Sequence, residues 1–223
     1  MSRIIDFYKF IDKIAPFETQ ESWDNSGFLV GNGEKEVTKV LLALDATEDV
    51  LNEAAEKGIA IISAHTCLDI AEGGVNDCLA QALGLENVVK VDDGEGLMRM
   101  GELEESLSYE EFVKYVAEKI NVGGLKYTPT DKKIKKVAVC GGSGGDLYPF
   151  AIKAGADAFV TANIKHNLWI EMRREGFCVL DAGHFCTENT VIEPLAKKLS
   201  ANFGDAEIIV SEVSEDPARY WAK

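Results

Sequence analysis

VAVCGGSGGDLYPFAIKAGADAFVTANIKH, residues 137–166, carries the pattern from which the fold is read. The apolar run Val137 to Cys140 runs into a glycine turn, Gly141 to Gly145, which predicts a short buried strand and a tight exit. Asp146 opens a helix that Gly155 ends, because glycine accepts the left-handed conformation that closes a helix. Ala156 to Thr161 is the next buried strand and leads to His166. Strand, turn, helix, glycine and strand in this order predict a parallel βαβ unit.

The first half of the chain has the same outline. Lys39 to Leu44 is an apolar strand, Asp45-Ala-Thr47 caps a helix running to about Lys57, Gly58 ends it, and Ile59 to Ser63 is a strand leading to His65. Val40 to Gly58 spans 18 positions, as does Val137 to Gly155. The echo predicts an α/β protein of two similar α/β domains with largely parallel sheets, a first domain at 1–98 and a second at 99–223. The last strand of the second is expected to pack back on the first. Around this frame, Ile4, Ile5, Tyr8 and Ile11 mark one face of an N-terminal helix, and Asn76 to Leu83 reads as helix. Ser108 starts another, with Glu111 completing a capping box. Trp23, in a polar turn feeding a short strand, is expected in the core.

Hydrophobic residues are 46% and charged residues 27% of the chain, a globular balance that argues against disorder. No apolar run approaches the roughly 20 residues of a membrane span. The acidic residues of the N-terminal helix make it a poor signal peptide, so a cytoplasmic protein is expected. Five cysteines without a CxxC pair suggest reduced thiols. The net charge of −15 repels nucleic acid and anionic membranes and concentrates cations. The partners expected are therefore small molecules, with no nucleic acid and no membrane.

Chemistry gathers in two segments that follow strands. In Phe177-Cys-Val-Leu-Asp-Ala-Gly-His-Phe-Cys-Thr-Glu-Asn189, His184 and Glu188 are four positions apart, on one face of any helix starting there. Imidazole with carboxylate suits a borderline divalent cation, and Asp181 is a candidate acceptor to fix the imidazole tautomer. His65-Thr-Cys-Leu-Asp69 repeats the spacing. Each pair also has a bland reading, as a helix cap with a satisfied histidine. Cys67 and Cys186 lie inside these segments and are read either as soft metal ligands or, in preference, as small buried residues. The turn Gly141–Gly145, between a strand and a helix, is read either as amides that cradle an anion or as a tight, close-packed turn; it matches no phosphate or dinucleotide pattern. His166 is read either as a polar cleft residue or as a loop histidine.

Taken in order, WDNSGFLVG, LLALDATEDV, AHTCLDIAEGGVND, RMGEL, VAVCGGSGGDL, GADAFVTANIKH, DAGHFCTE and IIVSEVSEDPARYW resemble the NIF-three-like family, also called GTP cyclohydrolase 1 type 2 homologues. The resemblance implies a NIF-three-like fold and a ring-shaped homohexamer binding one or two divalent ions per chain, zinc, iron or manganese. It places metal ligands at Asp69, His184 and Glu188. The family's tandem His-His-Pro motif is missing here: between Gly58 and Ile59 the chain lacks roughly 30 residues, about one strand–helix unit, so the first domain is shortened after Gly58. The strand before His65 can then be aligned in two ways. In one, both tandem histidines are lost; in the other, His65 takes the place of the first and becomes a substitute ligand.

These readings imply a divalent-metal-binding protein, with hydrolysis of a small, nucleotide-like substrate as the enzymatic expectation and His166 as a candidate proton acceptor. The alternatives are a non-catalytic metal-binding hexameric scaffold or regulatory protein, and a degraded relative without metal.

Overall fold

The structure is a computed structural model that describes residues 1–55 and 60–221. It opens with α1 (Ile4–Ile14), β1 (Gly27–Val30), β2 (Lys39–Leu42), α2 (Glu48–Ala55), β3 (Ile61–Ser63) and α3 (Thr66–Ile70). Then come α4 (Val75–Ala82), β4 (Glu86–Lys90), β5 (Arg99–Leu107), α5 (Tyr109–Lys119), β6 (Lys126–Tyr127) and β7 (Ile134–Val139). The remainder is α6 (Tyr148–Lys153), β8 (Ala158–Thr161), α7 (His166–Glu175), β9 (Cys178–Asp181), α8 (His184–Glu188), α9 (Ile192–Asn202) and β10 (Glu207–Val210). Among the described residues no helix is long and apolar enough to cross a membrane.

Two compact units result: unit 1 is Met1–Gly74 with Val191–Glu215, and unit 2 is Val75–Thr190 with Asp216–Lys223. This division differs from the expected 1–98 and 99–223. β4 pairs with β5, and Leu79 and Leu83 join the core around β7, so residues from Val75 onward go with unit 2. β10 pairs in parallel with β2, which carries the segment from Val191 to Glu215 to unit 1.

Unit 2 is built on a six-stranded sheet of order β4-β5-β7-β8-β9-β6. Its centre, β7-β8-β9, is parallel, as the βαβ pattern predicts, and antiparallel strands flank it on both sides. The central strands are apolar on both faces because both are covered. Val137, Val139, Ala158, Val160, Cys178 and Leu180 pack with Phe112 and Val116 of α5. The alternate residues Ala138, Phe159 and Val179 pack with Ala151 of α6 and with Leu168 and Met172 of α7. Each fully buried large side chain here contributes about 1.5–3 kcal/mol. The capping box at the start of α5 is formed: Ser108 Oγ accepts from Glu111 N at 3.4 Å, and Glu111 Oε2 accepts from Ser108 N at 2.8 Å.

Unit 1 pairs its strands as β1 with β3, antiparallel, and β2 with β10, parallel. Ile4, Phe7 and Ile11 are the buried face of α1, with Ile5 and Tyr8 half-buried beside them. Phe7 stacks on Phe203 at 3.9 Å between centroids. The expected helix to Lys57 is described as far as Ala55; Lys57, Gly58 and Ile59 lie outside the described residues. The strand expected at Ile59 to Ser63 is described from Ile61 and is half-buried rather than buried.

Candidate functional site

In unit 2 the carboxyl ends of the three parallel strands lie side by side, where side chains from successive loops meet. Gly183, at φ +80°, provides the exit from β9, and His184 and Glu188 occupy the two ends of α8. Their side chains meet as the spacing predicts: His184 Nε2 stands 3.1 Å from Glu188 Oε1. The partner of the other ring nitrogen differs from expectation. His184 Nδ1 is 2.6 Å from Asn163 Oδ1, while Asp181 instead accepts from the backbone N–H groups of Ile164 and Gly183, each at 3.4 Å. Asn163 lies just past β8, at φ +52°, a left-handed turn that asparagine tolerates better than most residues. Its position at the end of a parallel strand adjacent to β9 was the available signal.

The glycine turn after β7 supplies the third wall. Gly141 N donates to Asn76 Oδ1 at 2.7 Å, Gly142 N to Thr187 Oγ1 at 3.0 Å, and Gly144 N to Thr161 Oγ1 at 3.0 Å. With those amides bonded within the protein, the close-packed turn is the one of the two readings that the structure shows. Gly142, at φ +63°, faces the pair: a Cβ there would run into the Glu188 carboxylate and the His184 ring. Glycine at this position leaves room for the two donors.

The hydrogen bonding gives this pair a specific electrostatic character. A carboxamide oxygen only accepts, so Nδ1 of His184 carries its proton. In a neutral ring the Nε2 lone pair then points toward a carboxylate oxygen, and two acceptors face one another across 3.1 Å. A cation between them, proton or metal, relieves the repulsion. Donors at this separation fit one borderline divalent ion at bond lengths of about 2.0–2.2 Å. Among the described residues no three His, Cys, Asp or Glu side chains gather as a metal-holding group. His166 opens α7 as an exposed residue.

In unit 1, His65 is the N-cap of α3 and Asp69 lies within that helix, its N–H donating to His65 O at 3.2 Å. The strongest feature is a residue that sequence reasoning passed over. The Asp24 side chain, 2% exposed, sits 3.2 Å by Oδ1 from His65 Nδ1. Asp24 Oδ2 accepts from Thr66 N at 3.0 Å, Thr66 Oγ1 at 2.6 Å and Ser26 Oγ at 2.9 Å. Burial pushes this carboxyl upward, but the bonds from Thr66, His65 and Ser26 outweigh it and hold the group well below the usual carboxylate range. Trp23 is not in the core: it is 70% exposed and stands edge-on to the His65 ring at 5.7 Å. Cys67 is fully buried and Cys186 half-buried; burial, the larger cause for each, raises both thiols.

A profile of the Duf34/NIF3 (NGG1p interacting factor 3) family matches residues 2–62 and 54–217. The two matches share residues 54–62, which overlap the start of the strand before His65 that can be aligned in two ways. A Clostridium perfringens protein named GTP cyclohydrolase 1 type 2 homolog is 31% identical over 260 aligned positions, covering 98% of this chain and 99% of the relative. A Campylobacter jejuni protein of the same name is 30% identical over 254 positions, covering 98% and 100%. Both alignments exceed the 223 residues of this chain, so the relatives carry at least 37 and 31 residues without a counterpart here. The crystal structure of a Staphylococcus aureus hypothetical protein superposes with a TM-score of 0.90 at 28% identity, covering 98% of this chain and 99% of that one. The chain belongs to the Duf34/NIF3 family.

Proposed function

We propose that the protein binds a divalent metal ion, zinc, iron or manganese, through His184 and Glu188, and uses it to hydrolyse a small, nucleotide-like substrate. The supporting observation is the 3.1 Å approach of His184 Nε2 to Glu188 Oε1 with Nδ1 already committed to Asn163. When bound, such a cation supplies Lewis acidity and lowers the pKa of water toward about 7. Glu188 contributes charge and His184 a neutral nitrogen. Asn163 and Thr187 hold the pair and its glycine wall in place. His65 and Asp69 are the candidate donors of unit 1. The substrate class follows the relatives' name, and the net charge of −15 favours cation uptake over unaided binding of a polyphosphate.

A second reading, a metal-holding scaffold without turnover, is favoured by the position of His166. The candidate proton acceptor is exposed at the start of α7, which leaves metal holding as the function best served by the residues around the pair. In either reading the protein assembles as a homohexamer, in keeping with the ring that the family resemblance implies.

Elemental mass spectrometry on untagged protein, supplied in turn with zinc, manganese and iron, tests the proposal together with mass in solution and a nucleotide hydrolysis panel. Stoichiometric metal that falls in Glu188→Gln, with metal-dependent turnover, is the expected result. Metal without turnover selects the scaffold. No bound metal under any supply overturns both readings.

A further inference from the structure

We infer that Asp24 is the positioning residue of His65: its buried carboxylate commits the ring to the Nδ1–H tautomer and leaves Nε2 as the only ligand-capable nitrogen. The inference rests on the reading of His65 as a candidate metal donor, and its core claim, the tautomer, can be measured without metal.

The hydrogen directions around Asp24 are determined by what each donor does elsewhere. Ser26 Oγ accepts from His65 N at 2.9 Å, so its hydroxyl proton is available for Asp24 Oδ2. Thr66 Oγ1 accepts from Glu21 N at 2.9 Å and gives its own proton to the same oxygen. Thr66 N donates there as well, and Asn25 N donates to Asp24 Oδ1 at 2.7 Å. A carboxylate receiving all of these is an acceptor toward His65 too, so Nδ1 must donate. Through Thr66, the same carboxylate holds the first turn of α3, the helix that carries Asp69. The arrangement is that of a ligating imidazole whose distal nitrogen is oriented by a carboxylate.

The substitution Asp24→Asn separates this role from a merely structural one. Three donors converge on Oδ2, so the single carboxamide oxygen is drawn there and the NH2 group faces His65 Nδ1. A donor in that place forces Nδ1 to accept and moves the ring proton to Nε2. Nitrogen-15 NMR of metal-free protein at a pH of about 9, above the usual histidine range, reads the tautomer directly. The chain has three histidines, and His184, held by Asn163, is an internal control.

The expected result is an Nδ1–H ring at His65 in the wild type and an Nε2–H ring in Asp24→Asn, with the His184 signals unmoved. Zinc affinity of the variant, by titration calorimetry, is expected to fall about 10–100-fold. An Nε2–H ring in the wild type or an unchanged tautomer in the variant overturns the inference, and a switched tautomer with unchanged zinc affinity overturns the reading of His65 as a metal donor. Should the variant fail to fold, the wild-type tautomer alone decides. If the wild type binds no zinc but shows the Nδ1–H ring, the metal reading fails while the positioning of His65 stands.

Discussion

His184 Nδ1 lies 2.6 Å from Asn163 Oδ1, and this contact joins the loop after β8 to the start of α8. Because the asparagine oxygen can only accept, the contact fixes which ring nitrogen is left to face Glu188. The ionic character of the pair therefore depends on a residue 21 positions away that carries no charge itself.

Replacing that residue tests the dependence. Asn163→Ala removes the acceptor and frees the ring, and divalent-metal affinity is expected to fall by about 10–100-fold with the fold retained. Calorimetric titration with zinc, alongside circular dichroism, is the check. An affinity within twofold of wild type would show that Asn163 does not orient the ring.

Gly142 gives a stability prediction with a structural cause. Its φ of +63° costs an L-residue about 1–2 kcal/mol, and the added Cβ of Gly142→Ala would meet the Glu188 carboxylate. Urea unfolding is expected to show a loss of at least about 1 kcal/mol. The variant is also expected to lose the stabilisation that a saturating metal gives the wild type, about 2.7 kcal/mol at a hundredfold excess over Kd.

Asp24 predicts a pH dependence. Its carboxyl is depressed in the folded state from an ordinary value of 3.8, so the stability it contributes is present above that value and is lost as pH falls below it. The difference in unfolding free energy between wild type and Asp24→Asn is therefore expected to narrow as pH falls below about 4, where the unfolded carboxyl takes up its proton. Urea titrations on either side of that pH measure it, and a difference that widens on acidification would contradict the assignment.

The helix cap at α5 lies far from this chemistry and serves as a calibration. Ser108→Ala removes the acceptor for Glu111 N and is expected to cost about 1 kcal/mol with metal content unchanged.

Local chemistry made much of this legible. The Ser108–Glu111 box and the four-residue spacing of His184 and Glu188 each depend on a single helical turn, and both formed as read. The central strands of unit 2 were legible for a related reason: Val137, Ala158 and Cys178 begin apolar runs with polar ends, and such runs are stable only when both faces are covered. Other features depended on partners the local pattern does not name. Trp23 looked like a core residue because large aromatics usually are, yet it stands 70% exposed against His65. Asp24 lies 41 positions from His65, and nothing in a polar turn announces which loop it will face.

By itself, then, the sequence determined the α/β class, the βαβ unit ending at His166, the family and the candidate pair His184–Glu188, because helical and strand periodicity are set by neighbours within a few residues. Only the tertiary structure decided that Asn163 and not Asp181 holds His184, that Asp24 holds His65, and that α4 and β4 belong with the second unit. Those outcomes depend on which strands lie side by side and on the left-handed turn at Asn163. Sheet order is set by the burial of whole faces, and no single segment encodes it.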